Sequence, residues 1–370
     1  MPQTFTARRL LTPQGTIDHP VITVEDGLIR SIETASSSRE DTTLTATFVD
    51  IHIHGAASHD VMEGTPEALA AVSRFLATRG VGRYLPTTVT APVDRTLRSL
   101  EGIANAIESP VHAAARPIGI HLEGPFISHV KRGVHPPADI LPASIELFDR
   151  FQEAARGHIR LMTIAPEAEG ALELIEHAAK QGVKLSLGHS NATAAETLAG
   201  IAMGATSATH TYNAMRPLGH REPGILGTIL DDERLFSELI CDGIHVSPEL
   251  VRLWLKAKGG DKAILVTDSM GAAGMPDGVY TLGTFPVTVA DGRAVSNGHL
   301  AGSVLTMDRA VANVQQFTGA SLETAVRLAS TNPATMLGVE NTIALGQPAN
   351  FNLFGANGQL QATILDGKRI

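Results

Sequence analysis

The chain has 370 residues, of which 43% are hydrophobic and 18% charged, and its formal net charge is −9. This composition supports a large buried core and excludes wholesale disorder. The acidic balance argues against a nucleic-acid-binding protein, which normally presents a basic face, but a few local Arg and His residues suffice to hold a small anion.

The sequence pattern at both ends of the chain predicts short strands. Residues 21–32 (VITVEDGLIRSI) predict two strands joined by a turn at Glu25–Gly27, and residues 349–370 (ANFNLFGANGQLQATILDGKRI) predict strand, turn and strand. We therefore expect one small β domain built from residues 1–47 and 341–370. The first residues, MPQTFTARRLLTPQGT, do not read as a signal peptide, and no apolar run reaches membrane-spanning length.

The centre of the chain, residues 48–340, alternates strands with helices. The predicted strands are 48–54, 81–89, 117–123, 159–165, 183–189, 205–211, 235–241 and 262–268. Helical spacing of Ala and Leu is clear in TPEALAAVSRFLATRG, ALELIEHAAKQG and AAETLAGIAMG. Eight such repeats predict a (β/α)₈ barrel, with a doubly wound sheet as the alternative. The Gly-rich segment 271–303 reads as an insertion near the active face.

Polar residues gather where these strands end. The strand ends read DIHIHG (50–55), HLEGP (121–125), GHS (188–190), THT (209–211), DGIH (242–245) and TD (267–268). In a barrel, all C-terminal strand ends open on one face, where catalytic groups lie. His52 and His54 are two apart on a strand, so both project from the same side. One carboxylate and up to four imidazoles meeting there would suit a divalent metal such as zinc.

A lone histidine is usually a core or surface residue. The hypothesis of a metal site therefore rests on several histidines that lie together at converging strand ends. Seven histidines lack that placement and are interpreted as surface or structural: His19, His59, His112, His129, His158, His177 and His299. Asp268 closes the eighth strand after AILVT and is the candidate general base, the alternative being a helix cap or loop carboxylate.

Cys241 lies in the apolar run LFSELICDG, and we interpret it as a buried core residue, with a catalytic nucleophile as the alternative. A single cysteine fits a reducing compartment, and we expect a cytoplasmic protein.

The motifs resemble the amidohydrolase superfamily, and more narrowly its N-acetylglucosamine-6-phosphate deacetylases. They occur in order along nearly the whole chain: HIHG (52–55), GIHLEGPF (119–126), KRGVHPP (131–137), GHS (188–190), THTYNAM (209–215), REPGILG (221–227), DGIHV (242–246), VTDSM (266–270) and LAGS (300–303). HLEGPF followed by THTYNAM is far more specific than HxH alone. The resemblance implies a TIM barrel with a β-sandwich formed from both termini, and hydrolysis of the N-acetyl amide of N-acetylglucosamine 6-phosphate.

The resemblance also implies individual roles. Glu123, His189 and His210 would bind the main metal, His135 would help to polarise the acetyl carbonyl, and Asp268 would be the acid/base. The chain keeps His52 and His54, which some relatives replace, so we expect a second metal site bridged by Glu123. Zn²⁺ is expected, with Fe²⁺ or another transition metal as alternatives. One departure is Ser58-His59 before Asp60, where many relatives have a glycine.

Substrate contacts are implied in the same way. Residues that match the sugar and phosphate contacts of the family are Val134, Asn213, Ala214, Arg221, His245, Leu300, Ala301, Gly302 and Ser303. In the family the arginine reaches in from a partner subunit, so Arg221 implies a homodimer. The alternatives are another amidohydrolase activity, deacetylation of the galactosamine isomer, and a catalytically inactive barrel that serves as a binding protein.

Overall fold

A parallel barrel forms the centre of the molecule in the computed structural model, which describes residues 2–38 and 40–370. Its eight strands neighbour one another in chain order. They are Phe48–Ile53, Val81–Thr88, Ile120–Glu123, Ile159–Ile164, Lys184–Leu187, Ala205–Ala208, Phe236–Ile240 and Ala263–Val266. The eighth strand returns to the first, where the Asp268 N–H donates to the His52 carbonyl at 2.9 Å. The (β/α)₈ prediction is confirmed, and this return rules out a doubly wound sheet.

Helices cover the outside of the barrel. They are Pro66–Thr78, Val93–Glu108, Ile145–Ala154, Ala171–Lys180, Ala194–Met203, Gly224–Asp231, Pro248–Lys262, Met307–Thr318, Leu322–Ala329 and Thr331–Leu337. The first begins where the Thr65 hydroxyl caps the Ala68 N–H, with Pro66 in the first turn. Thr193 and Glu196 form a capping box at another. No helix among residues 2–38 and 40–370 has the length and apolarity needed to cross a membrane.

The small β domain draws its strands from both ends of the chain. One sheet contains Gln3–Thr6, Pro20–Glu25 and Leu28–Thr34; the other contains Arg9–Thr12, Gly15–Asp18, Thr43–Ala46, Phe351–Phe354, Leu360–Leu365 and Lys368–Arg369. Both sheets contribute to one apolar cluster that includes Ile22, Leu44 and Phe351. The β-sandwich is thus confirmed, while the exact boundaries at 1–47, 48–340 and 341–370 stay a prediction.

The predicted insertion is a four-stranded antiparallel ribbon over the C-terminal face of the barrel. Its strands are Gly278–Leu282, Phe285–Ala290, Arg293–Ser296 and His299–Leu300. Its first turn is held from the barrel side, because the Gly283 N–H donates to the Asp60 carboxylate at 2.6 Å and the Gly283 carbonyl accepts from Arg95 at 2.7 Å. Asp60, which follows Ser58 and His59 in the chain, thus makes a structural contact that fixes the ribbon.

The packing of helix Pro248–Lys262 on the barrel can be tested at Trp254, which is fully buried and donates to the Ser237 hydroxyl at 2.8 Å. Trp254→Phe removes this hydrogen bond and part of the ring, so we expect the free energy of unfolding to fall by about 2 kcal/mol. Lys256→Ala, at an exposed position of the same helix, should change it by less than about 0.5 kcal/mol. Denaturant unfolding measures both values, and an equal effect of the two substitutions would contradict this packing role.

Candidate metal centre

The Glu123 carboxylate lies at the point where the strand ends converge. Its Oε1 atom is 3.3 Å from Nε2 of His52, His189 and His210 alike. Its Oε2 atom is 3.2 Å from Nε2 of His54. Glu123 ends the third barrel strand, and the histidines belong to the first, fifth and sixth strand ends. Barrel closure thus brings together residues that are far apart in sequence.

These side chains form two groups of potential metal ligands. One group is Glu123, His189 and His210; the other is His52, His54 and Asp268, and within each group the ligand atoms lie within 4.8 Å of one another. Asp268 Oδ1 is 3.1 Å from His54 Nε2 and 3.5 Å from His52 Nε2. All six side chains are buried.

The geometry and chemistry of both groups fit divalent metal ions. Two ligand atoms bound at about 2.1 Å to a tetrahedral ion lie about 3.4 Å apart, close to the spacings seen around Glu123. Among the residues that the structure describes, His52 Nε2 and Glu123 Oε1 are buried without a hydrogen-bond partner. Buried polar atoms are normally paired, and an ion would complete both.

Hydrogen bonds at the far side of the rings orient two of the ligands. Nδ1 of His54 is 3.0 Å from the Thr87 carbonyl, and Nδ1 of His189 is 3.0 Å from the Lys131 carbonyl. A carbonyl oxygen only accepts, so each Nδ1 carries the proton in the neutral ring. The Nε2 lone pair is then directed at the centre, as metal binding requires.

The backbone is strained at three of these positions. His189, His210 and Asp268 have φ angles of 45°, 26° and 49°. Non-glycine residues in this region cost about 1–3 kcal/mol each and concentrate at functional sites. The surrounding barrel holds the strain, which turns each side chain inward just after its strand ends.

His135 is held in the opposite tautomer from His54 and His189. Its Nδ1 accepts the Thr90 backbone N–H at 3.3 Å and lies 2.7 Å from the Thr90 hydroxyl. The proton therefore resides on Nε2, which is 3.8 Å from Glu123 Oε2. Burial, assisted by the nearby His189 ring, lowers the pKa of His135 to about 3. A neutral Nε2–H donor thus faces the centre and can bind a carbonyl oxygen.

The electrostatic environment keeps Asp268 ionised. Burial alone would raise the pKa of its carboxyl, but the His52 ring and the hydrogen bond with His54 outweigh burial and hold the pKa below its ordinary value. The same contacts work in the other direction on His54, whose pKa is raised to about 9 despite its burial. Asp268 is therefore a carboxylate able to accept a proton.

A cavity of about 480 Å³ opens above the centre. Predicted substrate residues that line it are Val134, Asn213, Ala214, His245, Leu300 and Gly302. The side chains of Ala301 and Ser303 are buried instead, and the Ser303 hydroxyl donates to the Thr267 carbonyl at 2.6 Å beside Asp268. Arg221 is exposed and does not line the cavity of its own chain.

His245 is fixed at the cavity wall by Asp242. The His245 Nδ1 atom lies 2.6 Å from Asp242 Oδ2, and Asp242 Oδ1 accepts the backbone N–H groups of Ile244 and His245, both at 2.8 Å. Burial would raise the pKa of Asp242, but the hydrogen bonds from His245 and the backbone lower it overall. The ring is therefore preset in one orientation.

Three residues of the cavity lining do not stand out in the sequence. Lys131 and Arg132 line the cavity, although the sequence marks them only as part of a motif; two adjacent cations in an acidic chain are the available signal. The sequence predicts a surface or structural role for His299, because it lies outside the barrel strands. It is exposed, and the ribbon places it in the cavity lining.

Comparison with known proteins agrees with this architecture. The Amidohydrolase family model matches residues 43–370. N-acetylgalactosamine-6-phosphate deacetylase of Escherichia coli O157:H7 is 39% identical over 94% of this chain and 93% of its own length. N-acetylglucosamine-6-phosphate deacetylase of Bacillus subtilis is 35% identical over 97% of this chain and 94% of its own.

A solved structure extends the likeness to three dimensions. It is an aspartate-to-alanine variant of N-acetyl-D-glucosamine-6-phosphate deacetylase from Mycobacterium smegmatis in complex with N-acetyl-D-glucosamine 6-phosphate. It is 30% identical, covers 100% of this chain and 99% of its own, and superposes with a TM-score of 0.93. The chain belongs to the amidohydrolase family, in the group that contains the N-acetylglucosamine-6-phosphate and N-acetylgalactosamine-6-phosphate deacetylases.

Proposed function

We propose that the chain hydrolyses the N-acetyl amide of N-acetylglucosamine 6-phosphate to glucosamine 6-phosphate and acetate. The observation that carries this proposal is the convergence of two potential metal-ligand groups, one of which contains the Asp268 carboxylate, at the floor of a cavity whose lining includes Lys131 and Arg132. Relatives that carry this activity in their names, and that match nearly the whole chain, support it.

The ligand groups supply the setting for amide hydrolysis. A bound divalent cation lowers the pKa of its water and polarises a carbonyl. We propose Zn²⁺, with Fe²⁺ or another transition metal as alternatives, because imidazole and carboxylate ligands suit these ions. One ion would be held by Glu123, His189 and His210, and a second by His52, His54 and Asp268, with Glu123 between the two groups.

Asp268 and His135 divide the remaining chemistry. The Asp268 carboxylate takes the proton of the attacking water and later delivers it to the amine as the C–N bond breaks. The Nε2–H of His135 donates to the acetyl oxygen as negative charge develops there. The new C–O bond remains in acetate, so the net reaction consumes one water molecule.

The substrate phosphate would be held at the outer part of the cavity. Asn213, Ala214 and His245 are proposed contacts, and Val134, Leu300 and Gly302 would line the sugar. Arg221 would come from the partner of a homodimer, because a guanidinium matches a phosphate through paired, charge-assisted hydrogen bonds. The buried side chains of Ala301 and Ser303 would support the loop that carries Leu300 and Gly302.

The buried, unpaired thiol of Cys241 suits the reducing cytoplasm that we propose as the location.

The galactosamine isomer is the second candidate substrate. The relative at 39% identity is an N-acetylgalactosamine-6-phosphate deacetylase, whereas the N-acetylglucosamine-6-phosphate deacetylase of Bacillus subtilis is 35% identical. The two sugars differ only in the orientation of one ring hydroxyl, so cavity loops and not the metal ligands would separate them. Both isomers therefore belong in the assay.

The substrate assignment is tested by acetate release from the two sugar phosphates and from unphosphorylated N-acetylglucosamine. We expect release from a phosphorylated sugar, at least about 100-fold lower kcat/KM without the phosphate, and loss of activity after chelation that added Zn²⁺ restores. Elemental analysis counts the ions in the same samples. Metal binding without release from any of the three sugars would overturn the substrate assignment and favour a binding protein or another amide substrate.

The role of Asp268 is tested by Asp268→Asn, which keeps the shape but removes the proton acceptor. We expect kcat to fall by about 10²–10⁴-fold. Asp261→Asn, at a carboxylate with 85% side-chain exposure, is the matched control and should retain activity. Metal content is measured in both, since Asp268 is also a proposed ligand. Near-full turnover of Asp268→Asn would refute its acid/base role.

The origin of the phosphate arginine is tested by mixing two inactive chains. Arg221→Ala and Asp268→Asn chains carrying different tags are co-expressed, and the mixed dimers are purified. If Arg221 acts across the interface, one of the two sites regains both residues, and the mixed dimer should show about half the wild-type activity. A mixed dimer no more active than its parents, or a monomeric wild-type chain in size-exclusion chromatography, would contradict the proposal.

A further inference from the structure

The seventh barrel strand carries a carboxylate to which the proposed reaction gives no role. Glu238 lies within Phe236–Ile240, and its side chain is fully buried. Burying a carboxylate is costly unless it is well paired, and an apolar side chain of similar size is often more stabilising at such a position. The position of Glu238 therefore calls for a specific partner.

The partners of Glu238 are His52 and His210, which it contacts on the side of the ligand groups away from the cavity. Glu238 Oε2 is 3.2 Å from Nδ1 of His52 and accepts the His210 backbone N–H at 3.4 Å. The other oxygen, Oε1, is buried and has no hydrogen-bond partner among the described residues. Glu238 does not line the cavity above the centre. It touches the ligands from the side away from substrate.

Glu238 differs from the other groups that orient these rings. His54 and His189 rest against main-chain carbonyls, whereas Nδ1 of His52 faces a side-chain carboxylate. A carboxylate at Nδ1 fixes the tautomer and makes the imidazole a stronger ligand than a neutral acceptor does. Among these three rings, only His52 has an orienting partner that can be changed by substitution.

We propose that Glu238 is the positioning residue for the ion held by His52, His54 and Asp268. It keeps the His52 proton on Nδ1 and so directs the Nε2 lone pair at the centre, where that atom lies 3.3 Å from Glu123 and 3.5 Å from Asp268. The inference rests on the metal centre of the proposed function and is independent of the substrate.

The experiment measures metal binding to each group separately, without relying on activity. The chain is stripped with chelator, Zn²⁺ is added back, and dissociation constants come from chelator competition with ion counts from elemental analysis. A His189→Asn background isolates the His52 group, and a His54→Asn background isolates the Glu123 group. Glu238→Met, which has no strong acceptor, and Glu238→Gln, which keeps an acceptor, are placed in both backgrounds and in the wild-type chain.

We expect Glu238→Met to weaken Zn²⁺ binding by about 10–100-fold in the His189→Asn background and by less than about threefold in the His54→Asn background. Glu238→Gln should recover part of the loss because its amide oxygen still accepts from Nδ1. Ser237→Ala is the matched control: this buried neighbour on the same strand bonds to Trp254 and Thr211, not to a ligand ring. It should leave both constants unchanged.

Three results would overturn the inference. They are equal weakening in both backgrounds, which would indicate a general structural role; unchanged binding by Glu238→Met; and a wild-type chain that takes up only one ion. Melting temperatures of the metal-free variants show whether each one folds, and if Glu238→Met does not, the same comparison is made with Glu238→Gln. A chain that binds two ions in the expected manner but releases no acetate would refute the proposed function and leave this inference standing.

Discussion

The structure depends on one buried carboxylate, Glu123, that is surrounded by histidine rings. Its two oxygens lie 3.2–3.3 Å from Nε2 of His52, His54, His189 and His210. Such a cluster is stable only if positive charge is present at its centre, because a buried carboxylate and lone pairs facing one another would otherwise repel. The carbonyl oxygens of Thr87 and Lys131, outside the cluster, direct the Nε2 lone pairs of His54 and His189 towards that point.

The barrel and its candidate metal ligands are predictable because each leaves a strong local signal. Parallel strands buried on both faces read as nearly continuous apolar runs, so the eight strands can be placed to within a few residues. His, Asp and Glu residues cluster mainly at the C-terminal ends of these runs, and the barrel brings those ends to one face. The pattern of strand ends alone therefore groups His52, Glu123, His189, His210 and Asp268.

The residues that sequence reasoning misses or misjudges lack such a signal. His135 is identified only through resemblance, because its tautomer depends on Thr90, 45 residues away. His299 reaches the cavity through a ribbon whose placement depends on Asp60 and Arg95. Glu238 sits in a run that reads as an ordinary buried strand. Each depends on a long-range contact that periodicity does not encode.

In the proposed function, catalysis and selectivity reside in different parts of the fold. The strand ends hold the proposed ligands and Asp268 rigidly, with strained backbone at three positions, so the barrel sets the chemistry of the proposed amide cleavage. The cavity wall is built by loops and by the ribbon, whose residues Leu282, His299 and Leu300 belong to the lining. A change of sugar isomer can then arise by altering the wall while the metal centre stays constant. This separation is consistent with the names of two relatives, which are deacetylases of two different amino sugar phosphates.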